Sequence, residues 1–306
     1  MTGTDFTGGS SGSIDVSKAW PDGYDEVRAL AAHNNALIIF GKHSILVYEG
    51  ASSPASMALV DTVAGVGCIC RNSVQHIGTD VLFMSNSGLR SLGRTIQEKS
   101  LPLSDLSLNV KTEIVSLIEN RTLPTASVYS PENSFYLIVF PDQQTVYCFD
   151  LKGRLENGAY RVTRWTSVPH KSFELKTDGT LYIGTSDGIG TYSGYSDNAT
   201  SYRFRYYSPG LTFGDPSKTK LLKKLRPTIV GASCTTVFMK WAYDFATDCN
   251  TYEFSVGNQT PAYYGVDEFA IGEFTGGELT TRSPVNATGN GSIITIGLEA
   301  DINGSF

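Results

Sequence analysis

Phe135-Tyr136-Leu137-Ile138-Val139-Phe140 is an unbroken apolar run, set between Pro131-Glu132-Asn133 and Asp142-Gln143-Gln144. A run this short, rich in aromatic and β-branched side chains and bounded by turn formers, reads as a strand buried on both faces. The same text recurs at Leu37-Ile38-Ile39-Phe40, Val81-Leu82-Phe83-Met84 and Leu181-Tyr182-Ile183. Each copy follows a turn signal: Asn34-Asn35, Gly78-Thr79-Asp80 and Thr177-Asp178-Gly179 precede the other three, and such residues tolerate positive φ. Each copy also leads through a second turn, Gly41-Lys42-His43, Asn86-Ser87-Gly88 or Asp187-Gly188, into a further strand such as Ser44-Ile45-Leu46-Val47-Tyr48 or Thr145-Val146-Tyr147-Cys148-Phe149.

A recurring unit of about 45 residues with several antiparallel strands is the signature of β-propeller blades. One blade cannot bury both of its faces, so it needs neighbours. Apolar side chains on both faces of the second strand are expected when a sheet lies between two others. The same text also fits a run of hairpins curling into an open sheet or sandwich. The interval between the second and third copies is longer. It carries Ser104-Asp105-Leu106-Ser107-Leu108-Asn109-Val110-Lys111-Thr112-Glu113-Ile114-Val115-Ser116-Leu117-Ile118-Glu119, whose apolar positions 106, 110, 114, 117 and 118 follow helical spacing. One amphipathic helix is expected over 104–119. The Gly/Ser-rich start, Gly8-Gly9-Ser10-Ser11-Gly12-Ser13, resembles a linker more than a sealed first blade, so the ring is expected to be incomplete within this chain.

The expected fold class is all-β: propeller-like repeats over 1–208, then a small β-sandwich-like domain over 209–306. The rhythm changes after Tyr206-Tyr207-Ser208-Pro209-Gly210, which places the boundary near residue 209. Beyond it, Lys223 to Val230, Thr235 to Tyr243 and Ser292 to Leu298 read as strands. The Gly- and Thr-rich stretch 257–291 reads as a long projecting loop. The last strand, near the end at Phe306, reads as an edge that continues into further chain or pairs with a partner.

Composition narrows the function. Of 306 residues, 41% are apolar and only 18% charged, little charge to cover a monomer's surface, which points to contacts with other chains. A net charge of −6 argues against wrapping nucleic acid by phosphate neutralisation, although DNA can slide past an acidic wall. No stretch has the length of apolar sequence a membrane helix needs. The five cysteines include only a C-x-C pair, Cys68 and Cys70, and read as reduced thiols rather than a disulfide or zinc framework.

Catalytic constellations are weak. His33, His43, His76 and His170 stand in no recognisable triad context. Thr185-Ser186-Asp187-Gly188-Ile189-Gly190-Thr191-Tyr192 faintly resembles the Asp-box turn of sialidases, but its glycine spacing and last residue differ, and Asp187 reads as a turn former. No closely spaced metal-ligand set is present, and Gly65-Val66-Gly67 lacks the third glycine and the lysine of a phosphate cradle. No catalytic residue, cofactor or metal is expected. The single basic cluster is Lys218, Lys220, Lys223, Lys224 and Arg226. It reads first as a solvated edge that discourages wrong pairing, and second as an intersubunit or DNA contact.

Asp25 to Tyr48, with Gly67-Cys68-Ile69-Cys70-Arg71-Asn72-Ser73-Val74, Asp80-Val81-Leu82-Phe83-Met84-Ser85, Gly88-Leu89-Arg90-Ser91-Leu92 and Leu221-Leu222-Lys223-Lys224-Leu225, resembles the tail nozzle proteins of T7-like short-tailed bacteriophages, also called tail tubular protein B. The resemblance covers most of 13–245 and rests on structural turns rather than chemistry. It implies a virion structural protein and not an enzyme: a homohexameric ring in the tail, made in the host cytoplasm, docked on the adaptor ring and the tail fibres, through which double-stranded DNA is retained and ejected. Nozzle proteins are typically much longer, so the chain is expected to be a reduced form or a segment. The other reading is a carbohydrate-binding or glycan-degrading propeller at the tail tip. A third is a cellular propeller that binds partner proteins.

Overall fold

The structure is a computed structural model that describes residues 16–50, 57–99, 105–120, 124, 126–140, 145–166, 170–194, 197, 200–230, 235–256, 280–282 and 284–302. The fold is all-β and divides into two compact units, 1–192 and 193–306.

Among its described residues the first unit contains four antiparallel meanders. Blade 1 is β1 (Val27–His33), β2 (Ala36–Gly41), β3 (Ser44–Glu49) and β4 (Ala58–Ala64). Blade 2 is β5 (Gln75–Ile77), β6 (Asp80–Ser85) and β7 (Gly88–Ser91). Blade 3 is β8 (Ala126–Ser130), β9 (Phe135–Phe140), β10 (Thr145–Arg154) and β11 (Tyr160–Trp165). Blade 4 is β12 (His170–Leu175), β13 (Leu181–Thr185) and β14 (Ile189–Thr191). The four apolar runs that define the repeat are the second strand of each blade. The turns before them carry positive φ at Asn34 and Asn35 (45° and 61°), Gly78, Ser134 and Gly179, as tight hairpins require.

Successive side chains on a strand point to opposite faces, and here each face meets a different neighbour. Ile38 and Phe40 of β2 pack with Val81 and Phe83 of β6, the two phenyl rings 4.9 Å apart. Leu82 and Met84, on the other face of β6, pack with Tyr136, Ile138 and Phe140 of β9. The remaining β9 residues, Phe135, Leu137 and Val139, pack with Leu181 and Ile183 of β13. The outer face of blade 1 is covered by Trp20, which lies against Ile39, Leu46 and Tyr48. Among the described residues no apolar cluster joins blade 4 to blade 1, so the four sheets form an open stack.

The segments between blades splice them together. Gly67 lies on the backbone of blade 1, where a Cβ would come within 2.3 Å of the Lys42 carbonyl, and the next residue, Cys68, donates its N–H to Gly41 O (2.9 Å). Ser73 is fully buried. Its hydroxyl accepts from Met84 N (3.1 Å) and donates to Cys70 O (2.8 Å), and its carbonyl accepts from the Tyr136 hydroxyl (2.8 Å) in blade 3. Leu106 donates to Leu89 O of blade 2 and accepts from Tyr160 N of blade 3.

The helix expected over 104–119 starts later. Asp105 closes an Asx turn on Ser107 N (3.0 Å) and Oγ (2.6 Å), a 3-10 turn follows at Leu108–Val110, and the α-helix runs Lys111–Glu119. The short aspartate side chain favours the turn over helical backbone. The apolar face is as read: Leu106 and Ile114 lie in the core between blades 2 and 3, with Val110, Leu117 and Ile118 packed against it. A second, earlier helix, Leu92–Glu98, begins at Ser91, whose side chain accepts from Arg94 N. We label these helices α1 (Leu92–Glu98) and α2 (Lys111–Glu119).

The second unit starts before the boundary read near residue 209. The strand β15 (Tyr202–Tyr207) belongs to its sheet, so the break in rhythm after Tyr207 is the end of a strand and not the join between units. Along the chain follow β16 (Lys220–Leu221), β17 (Lys224–Leu225), β18 (Thr228–Val230), β19 (Thr235–Tyr243), β20 (Asn250–Val256), β21 (Thr280–Arg282), β22 (Val285–Asn286), β23 (Asn290–Gly291) and β24 (Ile294–Ile302). The main sheet has the order β15-β24-β19-β20. The last strand is therefore interior, paired on both sides, and not the edge expected from its position in the chain.

The pairs β16 with β23, β17 with β22 and β18 with β21 form one ribbon. It has an extra residue on the later strand near Gly289, where φ is +99°, as in a β-bulge. Leu222, Leu225, Val285 and Ala287 of the ribbon pack on Met239, Trp241 and Leu298 of the sheet, giving the two layers of a sandwich-like unit. The loop expected over 257–291 is corrected at its far end, since Thr280–Arg282, Val285–Asn286 and Asn290–Gly291 pair with Thr228–Val230, Lys224–Leu225 and Lys220–Leu221; 257–279 lies outside the described residues.

Phe83 sits at zero exposure in the shared wall between blades 1 and 2. Phe83→Ala is expected to cost ~3–5 kcal/mol, measured by denaturant unfolding, whereas Leu30→Ala, on the exposed side of β1, stays within about 0.5 kcal/mol. Gly67→Ala is expected to lower the melting midpoint sharply, while Gly153→Ala, where a Cβ meets nothing within 4 Å, leaves it nearly unchanged.

Candidate functional site: the charged face of the C-terminal sheet

One face of β24 (Ile294, Ile296, Leu298, Ala300, Ile302) is apolar and the other presents Glu299 and Asp301, as the two-residue period requires. Pairing places Arg203 opposite Asp301, Arg205 opposite Glu299 and Tyr207 opposite Gly297 on one side of β24. On the other side Phe238 is opposite Glu299 and Lys240 opposite Gly297. The Glu299 side chain is 5% exposed. Its Oε2 accepts from Arg203 Nη2 (2.8 Å) and Nε (3.0 Å), and its Oε1 accepts from Lys240 Nζ (2.9 Å) and the Tyr207 hydroxyl. Arg203 Nη1 also donates to Asp301 Oδ2 at 2.9 Å, and its guanidinium lies 4.1 Å from the centroid of the Phe238 ring. Gly297 makes this possible, because a Cβ there would fall 2.5 Å from the Tyr207 ring.

Burial alone would raise the Glu299 pKa. The Tyr207 hydroxyl, Lys240 and Arg203 outweigh it and hold the carboxyl at about 2. Ionised at neutral pH and engaged on both oxygens, Glu299 has no proton to give as a general acid. The network acts as a clasp across β15, β24 and β19.

The basic cluster divides. Lys220 Nζ donates to the carbonyls of Asp215, Lys218 (2.9 Å) and Ser292 (2.9 Å), and Lys218 pairs with Asp215 at 3.3 Å. These two secure the turn before the ribbon. Lys223, Lys224 and Arg226 are exposed around the buried Leu225; among the described residues they make no ion pair.

The other sequence candidates lie apart. His43 donates its backbone N–H to Asp25 Oδ2 (2.9 Å), and backbone hydrogen bonds from His43, Glu26 and Lys42 outweigh the effect of burial and lower the Asp25 pKa. His33 lies 3.1 Å from the Asn34 amide and His76 is exposed on β5. His170 is buried within an aromatic group in which Trp165 and Tyr192 stack, centroids 5.8 Å apart and planes 3° from parallel. Asp187 closes the turn from β13 to β14, and Gly65-Val66-Gly67 is the splice onto blade 1.

Cys68, Cys70, Cys148 and Cys249 are free thiols. Burial pushes the pKa of Cys68 up to about 11 and of Cys148 up to about 12. Cys234 lies outside the described residues. Among the described residues no group of three or more His, Cys, Asp or Glu is arranged to hold a metal, and no helix is long and apolar enough to cross a membrane. The Glu299 clasp was not singled out in the sequence. Its signal was Arg203-x-Arg205-x-Tyr207 and Glu299-x-Asp301 in alternation, legible only once the two strands are known to pair.

No protein-family model and no curated protein matches the chain. Solved structures with partial similarity include KlHsv2 carrying a Gly-Ser linker in place of its loop 6CD (13% identity, 54% of this chain and 62% of that one, TM-score 0.26). Others are the extracellular domain of a one-component system from B. thetaiotaomicron (11% identity, 77% and 36%, TM-score 0.33) and PorZ, a surface component of the type-IX secretion system of Porphyromonas gingivalis (14% identity, 76% and 28%, TM-score 0.29). The chain spans 62% or less of the length of each.

A depressed carboxylate stabilises the fold above its ordinary pKa and loses that contribution as pH falls through the folded value. For Glu299 the window is from 4.5 down to about 2. Glu299→Gln is expected to lower the melting midpoint at neutral pH and to flatten its fall across that window, measured by thermal melts between pH 7 and 2.

Proposed function

We propose that the chain is a structural, non-catalytic subunit of the tail of a short-tailed bacteriophage. In this reading it is a nozzle or tail-tube component whose copies form a ring around the path of DNA. The observation that carries the reading is the unequal ending of the blade stack. Blade 1 is closed by Trp20, whereas blade 4 ends on β14, whose Ile189 is 81% exposed; in this reading a neighbouring copy completes the repeat. A blade series of this kind gains by joining neighbours. The resemblance of residues 13–245 to tail nozzle proteins supports the same reading, and so does the low share of charged residues.

The ring has six copies and docks the adaptor ring and the tail fibres. A net charge of −6 keeps the phosphate backbone from adhering, so that double-stranded DNA slides through during ejection. The exposed Lys223, Lys224 and Arg226 are the contact for an acidic neighbour or for DNA at the mouth of the path.

Gold-labelled antibody against this chain, applied to intact particles of the phage that encodes it, is expected to mark the tail, with six copies per particle by quantitative mass spectrometry. Absence from purified particles would overturn the proposal. So would release of sugars from host envelope by the purified protein, if lost on changing one carboxylate, since that is the behaviour of a glycan-degrading propeller.

A further inference from the structure

The main sheet of the second unit ends on β15 at one side and β20 at the other, and among the described residues neither outer edge is paired. In an antiparallel ladder the N–H and C=O of one residue point to the same side, and successive residues alternate. Ser208 N donates to Ile296 O, so even-numbered residues of β15 bond to β24, and Arg203, Arg205 and Tyr207 point their backbone groups outward. Asp244 N donates to Ile293 O, so even-numbered residues of β19 bond to β24 and odd-numbered ones to β20. By the observed register their partners are the even-numbered residues of β20, which leaves Thr251, Glu253 and Ser255 pointing outward.

The two free edges are complementary. All neighbours in this four-stranded sheet are antiparallel, so β15 and β20 run in opposite directions. A second copy can therefore set its β15 beside β20 of the first and continue the antiparallel order. Of the registers that match outward backbone groups, the one that sets the whole of Tyr202–Tyr207 against β20 places Arg203 opposite Ser255, Arg205 opposite Glu253 and Tyr207 opposite Thr251. It also brings Phe204 opposite Phe254 and Tyr206 opposite Tyr252.

Each of these pairs suits its face. Phe204 and Tyr206 share a face with Ala300 and Leu298, as Phe254 and Tyr252 do with Val237 and Met239. Phe204, Tyr206 and Tyr252 are 43%, 58% and 42% exposed, an unusual load of aromatic surface for sheet edges. On the opposite face Arg205 and Glu253 are both exposed, and among the described residues neither makes an ion pair.

We propose that β15 of one copy pairs with β20 of the next, head to tail, through Arg205 with Glu253 and the two aromatic pairs. A contact between two different edges is heterologous and builds a ring or an open filament rather than a closed dimer. The contact goes beyond the tail reading and does not depend on it.

The test uses charge reversal on the full chain, followed by sedimentation. Arg205→Glu and Glu253→Arg are each expected to weaken self-association by on the order of tenfold or more, because like charges then face each other. Mixing the two variants is expected to restore association, since Glu at 205 of one then meets Arg at 253 of the other. The double variant is expected to associate as the parent does. A parent that is monomeric at every concentration, association indifferent to either reversal, or folded single variants that stay apart when mixed would each overturn the proposal. Oligomers indifferent to the reversals sink this contact while leaving the tail reading standing; the chain's absence from particles does the reverse.

Discussion

A strand with apolar side chains on both faces cannot rest against water on either side, and the first unit is organised by this constraint. β6 and β9 are shared walls. Val81 and Phe83 belong to one core and Leu82 and Met84 to the next, and β9 repeats the division one blade later. Apart from the Trp20 cluster on the outer face of blade 1, each apolar cluster described in these sheets joins two blades, so much of the stability resides in the contacts between sheets. This makes the ends of the series special. Trp20 answers the problem at blade 1, while Ile189 on the last strand of blade 4 stays 81% exposed.

The buried polar groups serve the same end. A buried hydroxyl or carboxylate without partners is costly, and several here are satisfied by bonds that tie one segment of the chain to another. Ser73 joins the start of blade 2 to Tyr136 of blade 3, and Ser107 Oγ accepts from Leu89 N at 3.0 Å, tying the segment before α2 to blade 2. Asp80 accepts from Gly93 N at 2.9 Å and anchors α1 beside its own sheet. The second unit uses charge instead. Glu299 is encased by Arg203, Lys240 and Tyr207, a fully partnered carboxylate of the sort that tolerates burial.

The repeat was legible because its signal is local: six apolar residues between turn formers leave little room for anything but a strand buried on both faces. The hydrophobic face of α2 was legible for the same reason, but not its start, since Asp105 and Ser107 offered the backbone a turn in place of a helical cap. α1 was missed because Leu92-Gly93-Arg94-Thr95-Ile96-Gln97-Glu98 is short and contains a glycine and a threonine, which weaken helix propensity. The boundary near 209 was misplaced because a strand's membership in a sheet is a long-range fact: β15 pairs with β24, far away in sequence. The Glu299 clasp and the later strand of the ribbon were hidden by the same non-locality. Gly- and Thr-rich text such as Thr280 to Gly291 pairs by backbone bonds, which leave no hydrophobic alternation to read.

The interior place of β24 bears on the order in which the molecule can be made. A blade can settle against its predecessor as soon as its own strands have been synthesised, so the first unit suits stepwise acquisition of structure on the ribosome. The second unit has no such route. β15 and β19 are held together only by the strand that lies between them, which is translated after both, so the sheet must wait with two unsatisfied edges until Ile294–Ile302 emerges. That interval is when wrong pairing between nascent chains is most dangerous, and the lysines near β16 and β17 are well placed to discourage it.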